Sequence, residues 1–147
     1  MAKHDNIPDA KKEVYKKLSI AYRVATLTIM GDIIENSPVG DPTIWKSKYK
    51  PKNYYGGTFR GNWQASTKEP IRDIIPSDTA VNRQEDPAQT IGKIALTETM
   101  YLANNLPYAQ ALEEGHAIKR PKRWISRIVL EGHKKLQAQV SKIIGGA

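Results

Sequence analysis

Cysteine is absent from the 147-residue chain, which excludes disulfides, a thiolate nucleophile and any zinc site built on sulfur. Histidine is scarce: His4, His116 and His133 are too scattered for a ligand set, and neither H-x-x-x-H nor H-E-x-x-H occurs. No run approaches the roughly 18 apolar residues of a bilayer span. The opening MAKHDNIPDAKKEV has no apolar h-region, so neither a membrane segment nor a secretory leader is expected. The serines lack a G-x-S-x-G elbow and a visible histidine partner, leaving hydrolase chemistry without positive support. Hydrophobic residues reach only 39%, so part of the apolar surface is expected to be completed by neighbouring subunits.

Positive charge is what the chain has in excess, with 23 Lys and Arg against 15 Asp and Glu and a formal net charge of +8. Such a balance favours anionic partners, which include nucleic acid, a membrane surface and an acidic protein ring, and does not choose among them. The length suits one domain with one core.

Pro8 is tolerated in a first helical turn and Asp9 complements the dipole there, so a helix is predicted to start at this point. Val14, Leu18, Ala21, Ala25, Ile29 and Ile33 recur at steps of three and four, with Lys11, Lys12, Lys16, Lys17 and Arg23 mostly on the other side. Asn36-Ser37-Pro38 ends this amphipathic helix near Glu35. A long excursion over 37–57 follows, rich in proline, glycine, lysine and aromatics and without period; it is expected to become ordered against a partner. Trp63, Ala65 and Thr67 alternate with polar residues, which predicts a strand with one buried face.

The stretch from Asp73 to Pro87 reads as turn-like, with a short helix from Asp86-Pro87 through Ile91 toward Ala95. Thr99 to Ala103 reads as a second strand, stopped by Asn104-Asn105. Tyr108 to Glu114 reads as a short helix with Gly115 just past its end. A final helix over about 123–143 carries Ile125, Ile128, Val129, Gly132, Leu136, Val140 and Ile143 as its apolar stripe, and Gly145-Gly146 ends it. The expected fold class is α+β: a small, mostly antiparallel sheet packed by long N-terminal and C-terminal helices, with a long loop that orders on assembly.

No catalytic pair emerges. Glu113 and Glu114 are adjacent on a helix and point in different directions, which suits a structural or interface role better than shared acid and base work. Asp32 and Glu35 stand at i, i+3 at the helix end that disfavours acids, where a partner's basic group can compensate. His133, among Lys134 and Lys135, reads as a surface residue, and His116 as part of a helix end. Gly56-Gly57-Thr58-Phe59-Arg60-Gly61 lacks the Gly-Lys-Ser/Thr ending of a phosphate loop, so a tight turn leading into the Trp63 strand is preferred. Lys46, Lys48, Lys50 and Lys52 alternate with Ser47, Tyr49, Pro51 and Asn53; this ribbon suits phosphates with stacked bases, but a solvated loop or protein interface is preferred because no nucleic-acid motif accompanies it. Lys119-Arg120-Pro121-Lys122-Arg123 forms a second basic cluster. No cofactor, metal or catalytic residue is expected.

Three blocks stand in order: Ser37-Pro38-Val39, then Gly57 with Phe59-Arg60-Gly61-Asn62-Trp63, then Tyr101-Leu102 with Asn105-Leu106-Pro107-Tyr108-Ala109 and Leu112-Glu113-Glu114-Gly115. Together with the basic segment and last helix, they resemble the tail-completion, or head-tail joining, proteins of long-tailed bacteriophages. Many members run from the proline-valine pair into an aspartate-threonine-glycine turn, whereas this chain has Gly40-Asp41-Pro42 and a longer insertion containing Trp45.

The resemblance implies one tail-completion-like domain over 1–147 and a non-enzymatic virion protein, made in the host bacterial cytoplasm. It would form a homo-oligomeric ring, expected to be hexameric, at the head-tail junction or tail end. Its partners would be its own copies, the tail tube protein and head-tail connector proteins, with DNA only as cargo in the channel and no membrane. The alternative is a small basic DNA-binding protein. A head-to-tail ring needs two complementary patches. Candidate residues are Trp45, Lys46, Tyr49, Tyr54, Tyr55 and Arg60 in and after the loop, Tyr108 and Glu113 in the PYAQALEEG segment, and Arg120 and Arg123 in the basic cluster.

Overall fold

The computed structural model describes residues 2–39, 56–91, 96–116 and 120–145. Two long helices, α1 (Ala2–Asn36) and α6 (Trp124–Gly145), flank a set of short elements. Between them lie α2 (Thr58–Gly61), β1 (Gln64–Ser66), α3 (Ser77–Ala80), α4 (Pro87–Ile91), β2 (Tyr101–Ala103) and α5 (Ala109–Ala111), which passes into a π-helical turn, Leu112–His116. The two strands pair antiparallel, with Gln64 opposite Ala103, Ala65 opposite Leu102 and Ser66 opposite Tyr101. The fold is therefore α+β, with a small antiparallel sheet and long helices at both ends of the chain.

The end of α1 falls where Asn36-Ser37-Pro38 places it, but its start does not. Helix α1 begins at Ala2, ahead of Pro8, so the proline sits inside the helix and forfeits one backbone bond without stopping it. Its apolar stripe is buried only toward the C-terminal end. Met30, Ile33 and Ile34 are buried, whereas Val14, Leu18, Ala21 and Ala25 are half-buried. Late α1 residues pack with early α6 residues: Ile29, Ile33 and Ile34 join Trp124, Ile125 and Ile128, so the helices run antiparallel. Gly132 is the point of close approach, because a Cβ there would enter the Ile29 side chain.

The core has two lobes, and α1 contributes to both. Phe59, Trp63, Leu106 and Trp124 surround Ile33 and Ile34 in one, and Met30, Ala65 and Ile91 form the other. Phe59 and Trp63 meet edge to face at a ring separation of 5.6 Å. Gly57 takes the left-handed conformation, φ 93°, that starts α2, and Gly61 lies where a Cβ would strike the Ala80 backbone carbonyl.

Four sequence expectations are corrected here. Trp63 and Ala65 are buried, but Gln64 between them is buried too, and Thr67 lies beyond the strand. The reason is that the irregular stretch at 71–75 covers that side: Gln64 donates to the Asp73 carbonyl at 2.8 Å, and Asn105 donates to Ile71 at 2.7 Å. The turn-like segment before Pro87 contains the short helix α3. The 108–114 helix is shorter than expected and widens into the π turn, which runs through Gly115. Gly145 lies within α6, whose end is two residues beyond the expected Ile143. The excursion leaves and returns at one place, since the Gly57 amide donates to the Val39 carbonyl at 2.7 Å. The ordering on assembly expected of the loop concerns 40–55, outside the described residues.

Candidate interface site

The C-terminal end of α1 and the N-terminal end of α6 lie at the same pole, and both are finished by side chains from elsewhere in the chain. A helix leaves its last carbonyls without intrahelical donors, and basic residues nearby normally help to satisfy them. The last turn of α1 contains no basic residue. Arg60 supplies the deficit from α2, its guanidinium donating to the Glu35 carbonyl at 3.0 Å and the Ser37 carbonyl at 2.9 Å. Arg120 donates through Nε to the Asn36 carbonyl. Two cations thus meet the partial negative charge of the helix end.

The opposite case holds at α6, whose first turn contains no acid. Glu113 provides the negative group from the π turn. Its carboxylate accepts from the backbone amides of Ile125 at 2.8 Å and Ser126 at 3.0 Å, and from the Ser126 hydroxyl. Arg123, with φ 59°, turns the chain into the helix, and its amide donates to the Glu113 carbonyl at 2.7 Å. Trp124 donates its indole N–H to the Leu112 carbonyl at 3.2 Å. The widened turn presents both the Leu112 carbonyl and the Glu113 carboxylate to α6.

Beneath this pole lie buried and half-buried polar side chains bonded to the backbone. Ser37 is fully buried; its hydroxyl donates to the Ile33 carbonyl at 2.7 Å and accepts from the Trp63 indole at 2.7 Å. Asn104 donates to the Phe59 carbonyl at 2.8 Å. Asn62, also fully buried, donates to Thr58 at 2.8 Å and exchanges a pair of bonds with the Ile75 backbone. Arg83 donates to the Gly61 and Trp63 carbonyls at 2.8 and 2.7 Å and is paired with Glu85. Buried polar groups satisfied in this way hold backbone segments that no regular ladder joins.

Of the residues singled out from sequence, Arg60, Tyr108, Glu113, Arg120 and Arg123 are brought to this pole. Tyr108 packs on the Phe59 ring at 6.4 Å and belongs to the edge of the larger core lobe. Arg60, Glu113 and Arg120 are engaged within the chain, while Arg123 is exposed. Trp45, Lys46, Tyr49, Tyr54 and Tyr55 lie outside the described residues. The sequence does not mark Ser37, Asn62, Arg83 and Asn104 as organising residues, because polar residues in turn-like surroundings carry no spacing signal that separates the buried from the exposed.

A cleft lined by Gln110, Glu113, Glu114, Lys122, Arg123 and Ser126 opens at this pole. Its carboxylate and hydroxyl are bonded to each other and to α6, an arrangement that caps a helix. Among the described residues, no group of three or more His, Asp or Glu is placed to hold a metal ion, and no helix is long and apolar enough to cross a membrane. No protein-family model matches the chain, and no curated protein or solved structure matches it at a significant level.

Proposed function

We propose that this chain is a structural virion protein of a long-tailed bacteriophage, forming a ring at the head-tail junction or tail end that terminates the tail tube and joins tail to head. The observation that carries the reading is the meeting of the three resembling blocks in one unit, joined by hydrogen bonds and ring packing. Ser37 of the first accepts from Trp63 of the second, Arg60 returns to the Ser37 carbonyl, and Tyr108 of the third packs on Phe59. Residues far apart in sequence that were grouped by resemblance therefore do one physical job together, holding the pole where the two long helices end.

The surface supports a role in assembly. Tyr15, Ile20 and Val24 on α1 and Val129, Leu130 and Ile144 on α6 are large apolar side chains left between 44% and 58% exposed. The mechanism on this reading is mechanical: each subunit contacts its ring neighbours, one ring face meets the tube and the other meets the connector, and DNA passes as cargo. Electron microscopy of the purified protein, alone and mixed with tail tubes, tests it. Rings that cap tube ends are the expected result; a protein that forms no ring and leaves the tubes uncapped removes the reading.

The DNA-binding alternative draws on Lys11, Lys12, Lys16 and Lys17, all exposed on α1. These lysines give electrostatic attraction without a base-reading element.

A further inference from the structure

One side of α1 carries a continuous apolar line. Ile20, Val24, Leu27, Gly31 and Ile34 follow one another at steps of four, three, four and three, which keeps them on one side of a helix. The first two are 48% and 57% exposed. The last three floor a groove walled by the segment Gln84 to Ala88 that leads into α4. Gly31 leaves the floor open, since a Cβ there would meet nothing within 4 Å.

Charge divides this face into two unlike ends. Lys16 and Lys17, both exposed, flank the outer part next to Ile20, with Glu13 one turn farther out. Glu35 and Asp86, both exposed, rim the groove, and Glu85 beside them is held by Arg83. A basic, apolar helix segment and an acid-rimmed apolar groove are complementary, and the two are carried by one chain with centres about three turns apart along α1. The helix segment lies too close to the groove along the same helix to fill it, so for this segment to seat there it must come from another copy.

We infer that the groove at Leu27, Gly31 and Ile34 seats the Lys16 to Val24 segment of α1 from a second copy of this chain. Each copy then offers its own groove to the next, a head-to-tail contact that can close into a ring. This rests on the ring reading above and adds to it the contacting surfaces, which differ from those expected from the sequence. Ile20 and Val24 of the incoming helix cover the apolar floor. Lys16 and Lys17 reach the Glu35 and Asp86 rim. The open surface at Gly31 lets the incoming helix approach the floor closely.

The test is a charge exchange on the intact protein, followed by sedimentation velocity across a wide range of concentration. One variant carries Lys16→Glu and Lys17→Glu, and the other Glu35→Lys and Gln84→Lys, which leaves in place Asp86, whose carboxylate accepts from the Ala88 amide at 3.1 Å at the start of α4. Each alone is expected to shift self-association to concentrations higher by at least about tenfold, equivalent to about 1.4 kcal/mol. An equimolar mixture is expected to restore it, because each altered helix then finds an oppositely altered groove. Circular dichroism melts check that the variants fold. Should either unfold, Val24→Gln removes the apolar contact at an exposed position and is expected to weaken association by itself. Wild-type assembly that neither variant disturbs overturns the docking and leaves the ring reading standing. A charge-controlled assembly that stops at a closed dimer keeps the docking and removes the ring. A wild-type chain that stays monomeric throughout overturns the docking.

Discussion

The indole N–H of Trp63 reaches the hydroxyl of Ser37 at 2.7 Å, joining two buried side chains 26 residues apart. That bond ties the end of α1 to the entrance of β1. Ser37→Ala leaves the indole donor without its partner, which is expected to cost about 1–3 kcal/mol. Trp63→Ala empties part of the larger core lobe and is expected to cost about 3–5 kcal/mol. Lys12→Ala, on the exposed side of α1, is expected to stay within about 0.5 kcal/mol. Urea unfolding of the three variants checks the order; a Trp63→Ala protein as stable as wild type removes the role given to this bond and its lobe.

Glu113→Ala is expected to destabilise by about 1–2 kcal/mol through loss of the α6 cap. Glu113→Gln keeps an acceptor but not the charge and is expected to lose less. Ser126→Ala, which leaves both backbone bonds to Glu113 intact, is expected to lose least. Denaturation midpoints of the set give the ranking, and equal losses for Gln and Ala would show that the charge provides all of the effect.

Arg60→Ala and Arg120→Ala should separate in size. Arg60 holds two carbonyls and is half-buried, so its loss is expected to cost about 1.5–3 kcal/mol. Arg120 donates to the Asn36 carbonyl in an exposed bond, whereas one of the Arg60 bonds is part-buried, and a loss of about 1 kcal/mol is expected. Hydrogen exchange at the end of α1 in each variant reports whether fraying follows the same order.

Two glycines give opposite outcomes with the same substitution. Gly31→Ala places a methyl in open space within a helix and is expected to stabilise the isolated chain by about 0.5–1 kcal/mol. Gly61→Ala drives the same methyl into the Ala80 backbone and is expected to cost about 1–3 kcal/mol or more. Thermal melts decide both signs.

Duplex DNA is expected to bind weakly, without sequence preference, and to be released as salt rises, because the +8 charge is the main source of attraction. Titrations of labelled duplexes at two salt concentrations check this. Tight binding of one sequence at physiological salt would favour the DNA-binding alternative.

The long periodic elements were legible from sequence because their signal repeats. The stripe from Ile125 to Ile143 announces α6, and Asn36-Ser37-Pro38 announces the end of α1. Short elements were harder to read. Ser77 to Ala80 folds into a helical turn without any apolar period, and Gln64 is buried because Asp73 lies across it, a contact invisible in a strand of three residues. The polar pole was harder still. Glu113 was singled out, but its attachment to Ile125 and Ser126 depends on the π turn, and the capture of α1 by Arg120 spans 84 residues. Interactions at that separation are set by tertiary placement and leave no local pattern.

That separation has a consequence for synthesis. At 5–20 residues per second, a ribosome that has finished Asn36 needs on the order of ten seconds to reach Arg120. Arg60 arrives sooner, 25 residues after Glu35, but α6, which covers Ile29 and Ile33, comes last. The emerging first helix therefore waits with its apolar stripe uncovered and one of its terminal carbonyls unclaimed. A nascent chain stalled before Arg120 would display that stripe to every neighbouring polypeptide, and the emergence of α6 is the moment at which the molecule can first hide it.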